Sequence, residues 1–347
     1  MRFPLRPLFF ALWLSTGLAV AATPQATDKG KNRPVSQKAH GKAAVAKAKP
    51  AGKAHVAQVT SAHRAKTSGQ ALARAAEQWR ESPHGLALQS AAALVFDQSA
   101  GDALFQKNAG VVAPIASITK LMTAMVVLDS LPDLQANVSI SEEDVDTLRG
   151  SRSRLNVGSV LSRETALLLA LMSSENRAAH ALGRHYPGGL TAFVAAMNAK
   201  ARSLGMTHSH FDDPTGLSSS NVSTANDLAR MVSAAYRYPL IREWSTTSEA
   251  NVEISGRQLA FRNTNPLVKS RAWDVGLSKT GYIHEAGKCL VMQARVAERP
   301  VVIVLLDSAG KQTRVGDANR IKRWMESANA AHKLPTHAAT TSGRLPG

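Results

Sequence analysis

The 347-residue sequence predicts an α/β fold of the α+β kind: an antiparallel sheet flanked by helices, with an inserted all-helical subdomain. Three observations predict it. Strand-like segments stand at both ends of the globular part, 91–97 and 103–106 early and 276–283, 288–297 and 300–306 late. Helical patterns fill the stretch between them, at 163–183, 190–204 and 224–236. The links inside each strand group are tight, Ser99-Ala100-Gly101-Asp102 in the first and Glu298-Arg299 in the second, which favours antiparallel pairing. Strands from both ends meeting in one sheet make the middle, about residues 123–270, an insertion.

Residues 1–21 read as an export signal. Arg2 and Arg6 make a positive start, 8–20 is an apolar run too short for a membrane span, and Ala19-Val20-Ala21 offers small residues for cleavage. A short membrane anchor is the alternative. The signal predicts export, with loose membrane association allowed. Residues 22–70 differ in kind. They hold no aromatic residue, and eight Lys and two Arg stand against one Asp. Most of the chain's net charge of +17 therefore sits on a segment with too few large apolar groups to fold. It reads as a disordered basic linker, either a solvated spacer or a tether to an anionic lipid or wall surface. Nucleic acid is not an expected partner of an exported protein.

The globular domain is expected at 71–330, opening with a helix at 71–80. Hydrophobic residues are 44% of the chain, enough for a sizeable core. Pro114 precedes a helix at 117–128, Asp213-Pro214-Thr215-Gly216 makes a turn, a last helix covers 315–328, and 331–347 reads as a flexible tail. Cys289 is the single cysteine, so no intramolecular disulfide and no cysteine metal cluster can form. On a strand it reads as a small buried hydrophobe. No metal and no cofactor are expected.

Three short patterns could carry chemistry. In Ser117-Ile118-Thr119-Lys120 the serine and lysine share one face of a helix start. A lysine whose pKa is lowered by apolar neighbours such as Leu121, Met122 and Met125 could take the serine proton. The same spacing recurs at Ser308 and Lys311, in a turn after a strand. Ser174-Glu175-Asn176 falls at a break in a helical region, where its hydroxyl could relay a proton and its amide could orient substrate and Lys120. Ser219-Ser220-Asn221 matches it; Ser174 is preferred because it follows the apolar stretch 166–172 and so sits at a packed position. Lys279-Thr280-Gly281 lies on a predicted strand. Glycine there admits a substrate backbone, and the lysine and threonine could hold a carboxylate. Each pattern alone is weak; their order and settings together are stronger.

With those residues and the longer stretches 114–123, 171–179, 213–217, 221–225 and 261–265, the chain resembles the low-molecular-mass penicillin-binding proteins, the serine D-Ala-D-Ala peptidases, and within them the periplasmic members that cut cross-links. The resemblance covers about 71–328. It implies a penicillin-binding protein transpeptidase-like, β-lactamase-like fold, and a Ser117 acyl-enzyme with Lys120 as base. Backbone N–H groups of Ser117 and Tyr282 would form the oxyanion hole. Ser174 and Asn176 would serve proton transfer and positioning, and Lys279, Thr280 and Gly281 substrate binding. Arg314 would match a family arginine that meets a terminal carboxylate. The implied substrates are D-alanyl-meso-diaminopimelyl cross-links of peptidoglycan, and β-lactams should trap Ser117.

A D-Ala-D-Ala carboxypeptidase or a β-lactamase could use the same trio. No convincing Glu-x-x-Leu-Asn segment for a deacylating water lies between the second and third motifs. Little chain follows Trp324, so the extra β-rich domain and amphipathic anchor of many carboxypeptidases are not expected. A non-catalytic wall-binding or β-lactam-sensing protein is the reading from another class; the intact trio argues against it.

Overall fold

The computed structural model describes residues 86–310 and 312–333. The expected signal, basic linker and first helix, the tail beyond 333, and Lys311 lie outside the described residues. No described helix is long and apolar enough to cross a membrane.

Apolar runs build the sheet. Strands β1 (Ala92–Asp97) and β2 (Asp102–Lys107) form an early hairpin. The late strands β9 (Asp274–Ile283), β10 (Gly287–Val296) and β11 (Arg299–Ser308) complete a five-stranded sheet in the order β2-β1-β11-β10-β9. Every neighbour pair is antiparallel, and Leu94 and Val291 both face Val304 in register. The sheet is covered on both faces. Leu94, Val291, Val302 and Val304 point into the larger core with the central helix, while Ala93, Val95, Leu290, Ile303 and Leu305 pack beneath the last helix against Ile321 and Met325. Two buried faces explain why 301–306 is an unbroken apolar run rather than an alternating one. Each such side chain contributes about 1.5–3 kcal/mol on burial. The last helix spans Thr313–Lys333, longer at both ends than the pattern suggests.

The insertion positions the site. Its central helix, α1 (Lys120–Asp129), is buried from Lys120 through Val127, as a helix inside a core must be. The expected helix at 117–128 is thus split: Ala116–Thr119 winds as a 3-10 turn, entered through a left-handed Ala116 (φ 49°). The expected helical stretch 163–183 is two helices, α2 (Arg163–Met172) and α3 (Asn176–Arg184). Between them Leu169 O accepts from the N–H of both Ser173 and Glu175, and Ser174 is left-handed (φ 64°). Helices α4 (Gly189–Ser203) and α5 (Ala225–Ala235) lie within a residue of their expected ends.

The insertion is not wholly helical. A two-residue ladder pairs β3 (Ala113–Pro114) with β6 (Val222–Ser223), and two hairpins interrupt the insertion, β4 (Asn137–Ser139) with β5 (Val160–Ser162), and β7 (Glu249–Ile254) with β8 (Arg257–Arg262). The second turns on Ser255-Gly256, both at positive φ, the conformation that suits a two-residue hairpin. A further helix, Pro239–Thr246, starts on a proline.

Candidate active site

Lys120 starts α1 and is fully buried, one turn above the half-buried Ser117. Its Nζ lies 2.9 Å from Ser117 Oγ, 2.8 Å from Asn176 Oδ1 and 2.7 Å from Thr215 O. Burial drives the lysine pKa from its ordinary 10.5 down to about 7, against a partial lift from the carboxylates of Asp213 and Glu175. A neutral amine satisfies this triangle completely. Two N–H groups serve the Asn176 and Thr215 oxygens, and the lone pair faces the Ser117 hydroxyl.

The helix break carries the second pair. Ser174 stands out of α2 on its left-handed backbone, and Lys279 Nζ lies 2.9 Å from Ser174 Oγ and 3.0 Å from Thr280 O. Lys279 is itself buried. Burial, and then the charges of Lys120 and Arg314, hold it well below an ordinary lysine. Asn176 opens α3 and is fixed at both ends of its amide, on Lys120 through oxygen and on Ser151 Oγ through nitrogen at 2.9 Å. Ser117–Lys120 and Ser174–Lys279 are therefore two serine–lysine pairs from four separate elements.

Strand β9 forms the third wall. Thr280 Oγ1 meets Thr264 Oγ1 at 2.6 Å. A Cβ on Gly281 would sit 3.1 Å from Ser117 N and 2.9 Å from Ile115 O, so only glycine lets the strand lie against the backbone of Ser117. Tyr282 is 59% exposed, with Lys288 Nζ 4.0 Å from its ring centre. Arg314 stands on the last helix, and its Nη1 donates to the carbonyls of Gly281 and Cys289, 3.1 Å each. It braces β9 against β10 at the paired residues Gly281 and Cys289. Cys289 is fully buried, and burial pushes its thiol up to about 11, in keeping with the hydrophobe expected there.

Sequence reasoning passed over several contributors. The turn at 213–216 supplies a carbonyl to Lys120, and its shape comes from Asp213, whose Oδ1 accepts from the N–H groups of Thr215 (2.5 Å) and Gly216 (2.7 Å). Gly216 (φ 81°) lies so close to the 3-10 turn of Ser117 that a Cβ would fall 1.9 Å from Ala116 O. Asn221 clasps this turn to the 3-10 turn, donating to Thr119 Oγ1 and Asp213 O and accepting from the N–H groups of Asp212 and Asp213. Ser151, which fixes Asn176, had no signal beyond polarity in a loop. The repeat of the first pattern does not enter the site: Ser308 Oγ is buried against Ser90 Oγ (2.7 Å), which donates to Asp317.

A buried lysine on a half-buried serine at the foot of a core helix, beside an antiparallel sheet, defines the class of protein, a serine hydrolase. The family described as D-alanyl-D-alanine carboxypeptidase matches residues 77–310. The D-alanyl-D-alanine endopeptidase of Pseudomonas aeruginosa is 52% identical over 242 residues, 69% of this chain and 78% of that protein. The Escherichia coli protein of the same description is 45% identical over 257 residues, 74% and 82% of the two chains. Carboxypeptidases stand further off, for example 27% in Bacillus subtilis. Among solved structures a Streptomyces DD-transpeptidase superposes with TM-score 0.65 at 28% identity, over 70% of this chain and 98% of that one. The chain belongs to the D-alanyl-D-alanine carboxypeptidase family, serine DD-peptidases with the fold of penicillin-binding proteins.

Proposed function

We propose that the protein is a D-alanyl-D-alanine endopeptidase that hydrolyses D-alanyl-meso-diaminopimelyl cross-links through an ester on Ser117. The observation that carries the chemistry is Lys120 Nζ, shut from water and 2.9 Å from Ser117 Oγ. With a pKa of about 7, roughly half of it is a free base at neutral pH. Ser117 Oγ adds to the D-alanyl carbonyl as its proton passes to Lys120. The oxyanion lies between the N–H groups of Ser117 and Tyr282, which Gly281 allows to approach. The C–N bond then breaks, and the leaving amine takes a proton through Ser174, whose hydroxyl is held by Lys279. Water, deprotonated by the same route, cleaves the ester and releases the D-alanyl carboxylate. Lys279 and Thr280 hold the acyl donor, and the charge of Arg314 adds to the positive field for a carboxylate there. Penicillins and other β-lactams acylate the same serine.

The choice of an internal bond over a terminal D-alanine rests on the 52% and 45% identities to endopeptidases. Digestion of purified cross-linked muropeptides tests it: dimers should fall to monomers. Release of free D-alanine with dimers intact would make the enzyme a carboxypeptidase instead. Export to the periplasm is supported by Arg2, Arg6 and the apolar 8–20, and attachment to an anionic surface by the lysines of 22–70. Cell fractionation with and without residues 22–70 checks both.

A further inference from the structure

A cleft of about 500 Å³ opens between the loop 154–159 and the tip of the β7–β8 hairpin, lined among others by Arg154, Asn156, Ser159 and Arg257. Its charge is one-sided. Arg154 and Arg257 are exposed, as is Arg152 beside them, and none of the three forms an ion pair among the described residues. Glu253, on the hairpin opposite Gln258, is the acidic neighbour and is not part of the lining. The walls are fixed. Arg154 Nη1 donates to Ala260 O, and its guanidinium lies 5.0 Å from the centre of the Phe261 ring, which clips the loop to the hairpin.

Both walls lead back to the nucleophile. Three residues before Arg154, Ser151 is bonded to Asn176; chain reach puts the two Cα atoms within about 11 Å. Ser153 Oγ donates to Glu175 at 2.7 Å. On the other wall, β8 runs from Arg257 to Arg262, and Thr264 just beyond it is bonded to Thr280. Both walls thus tie the cleft to the site, and it carries exposed guanidinium groups in place of the site's own buried lysines. A guanidinium fork matches a carboxylate in two parallel hydrogen bonds.

We propose that this cleft is a subsite for the free carboxylates of a peptide stem that extends away from the bond cut at Ser117. The proposal rests on the endopeptidase reading, in which the substrate carries the carboxylates of diaminopimelic acid and of the peptide termini. It gives the enzyme a way to prefer long anionic cross-linked peptides over short neutral ones. Because the arginines are exposed, their hold on the substrate weakens as salt rises.

The test compares wild type with Arg257→Glu, at the exposed hairpin tip, on three substrates: purified cross-linked dimers, the same dimers with their carboxylates amidated, and a fluorescent penicillin too short to reach the cleft. Charge reversal should lower kcat/KM for the carboxylate dimers about tenfold, through KM. It should leave the amidated dimers and the penicillin unchanged, and Arg257→Lys should restore part of the loss. No loss, or an equal loss on both kinds of dimer, would overturn the proposal. If wild type leaves dimers intact while labelling with penicillin, the endopeptidase reading fails instead. Calorimetric binding of the same dimers to Ser117→Ala, with and without Arg257→Glu, then decides the cleft by itself: weaker binding with the glutamate supports it, equal binding overturns it.

Discussion

In 174–176 the serine is held by one catalytic-site lysine and the asparagine by another, whereas in 219–221 the serine faces solvent and the asparagine is shut into the core. The two segments share the pattern Ser-x-Asn. Asn176 is half-buried and makes its two bonds to Lys120 and Ser151, at the edge of an open site. Asn221 is wholly buried and makes four, all within the turn and the loop that it ties together. The same side chain thus links two polar site groups in one place and splices backbone to backbone in the other. Surroundings, not spelling, divide the roles.

The largest effect expected is the loss of the group that Asn176 helps to serve. Ser117→Ala should abolish labelling by fluorescent penicillin and lower cross-link hydrolysis by about 10⁴-fold or more. Labelling that persists would move the nucleophile elsewhere and dissolve the contrast. Next come the two asparagines. Asn176→Ala should lower kcat by about 10²–10³-fold, the range of a lost positioning or proton-transfer contact, with little change in Tm. Asn221→Ala strips the half-buried Asp213 of a partner at both its N–H and its carbonyl and removes the tie to Thr119 and Asp212, a cost of about 2–3 kcal/mol, or a Tm lower by roughly 5–10 °C. Its activity should suffer through the displaced Thr215 carbonyl. Equal thermal shifts in the two variants would erase the distinction.

How far the sequence carries follows from what makes each feature. The strands at 92–97, 274–283, 287–296 and 299–308 were legible because two buried faces demand long apolar runs. Ser117, Lys120, Ser174, Asn176 and Lys279 were legible through spacing and order, and the structure brings all five together. Thr215 was hidden because its contribution is a carbonyl, which every residue possesses. The role of Asn221 has no local pattern, because its partners lie at Thr119, far away in sequence, and on the backbone of Asp213. The split of 117–128 into a 3-10 turn and α1 follows from the close approach of Gly216 and Gly281, a tertiary constraint with no local pattern. The β7–β8 hairpin did carry a signal, Ser255-Gly256 between alternating residues, which the helical reading of the insertion overrode.

The pH profile sharpens the role of Lys120 and is smaller in size. The base form must be neutral, and the pKa of about 7 places the change there. Acylation by penicillin should therefore plateau above neutrality and fall about tenfold per pH unit well below pH 7. Stopped-flow acylation between pH 5 and 9 measures it. A flat rate across that range would show that no proton is taken up by a group with Lys120's pKa.

The smallest effect concerns the middle residues of the two segments. Glu175 lies beside the lysine, and its negative charge raises the Lys120 pKa by favouring the ammonium form. Glu175→Gln removes that charge, so the lysine should lose its proton at lower pH, and the acid limb of the acylation profile should move downward. At pH 6 the variant should then acylate faster than wild type, by about twofold to fivefold for an electrostatic contribution of up to ~1 kcal/mol, with the plateau rate above pH 8 little changed. Ser220, in the corresponding place, is exposed, carries no charge and takes no part in the lysine's hydrogen bonds, and Ser220→Ala should leave the whole profile in place. An acid limb that moves upward in Glu175→Gln would reverse the sign, and would mean that Glu175 acts on Lys120 through its bond to Ser153 and the loop rather than through its charge.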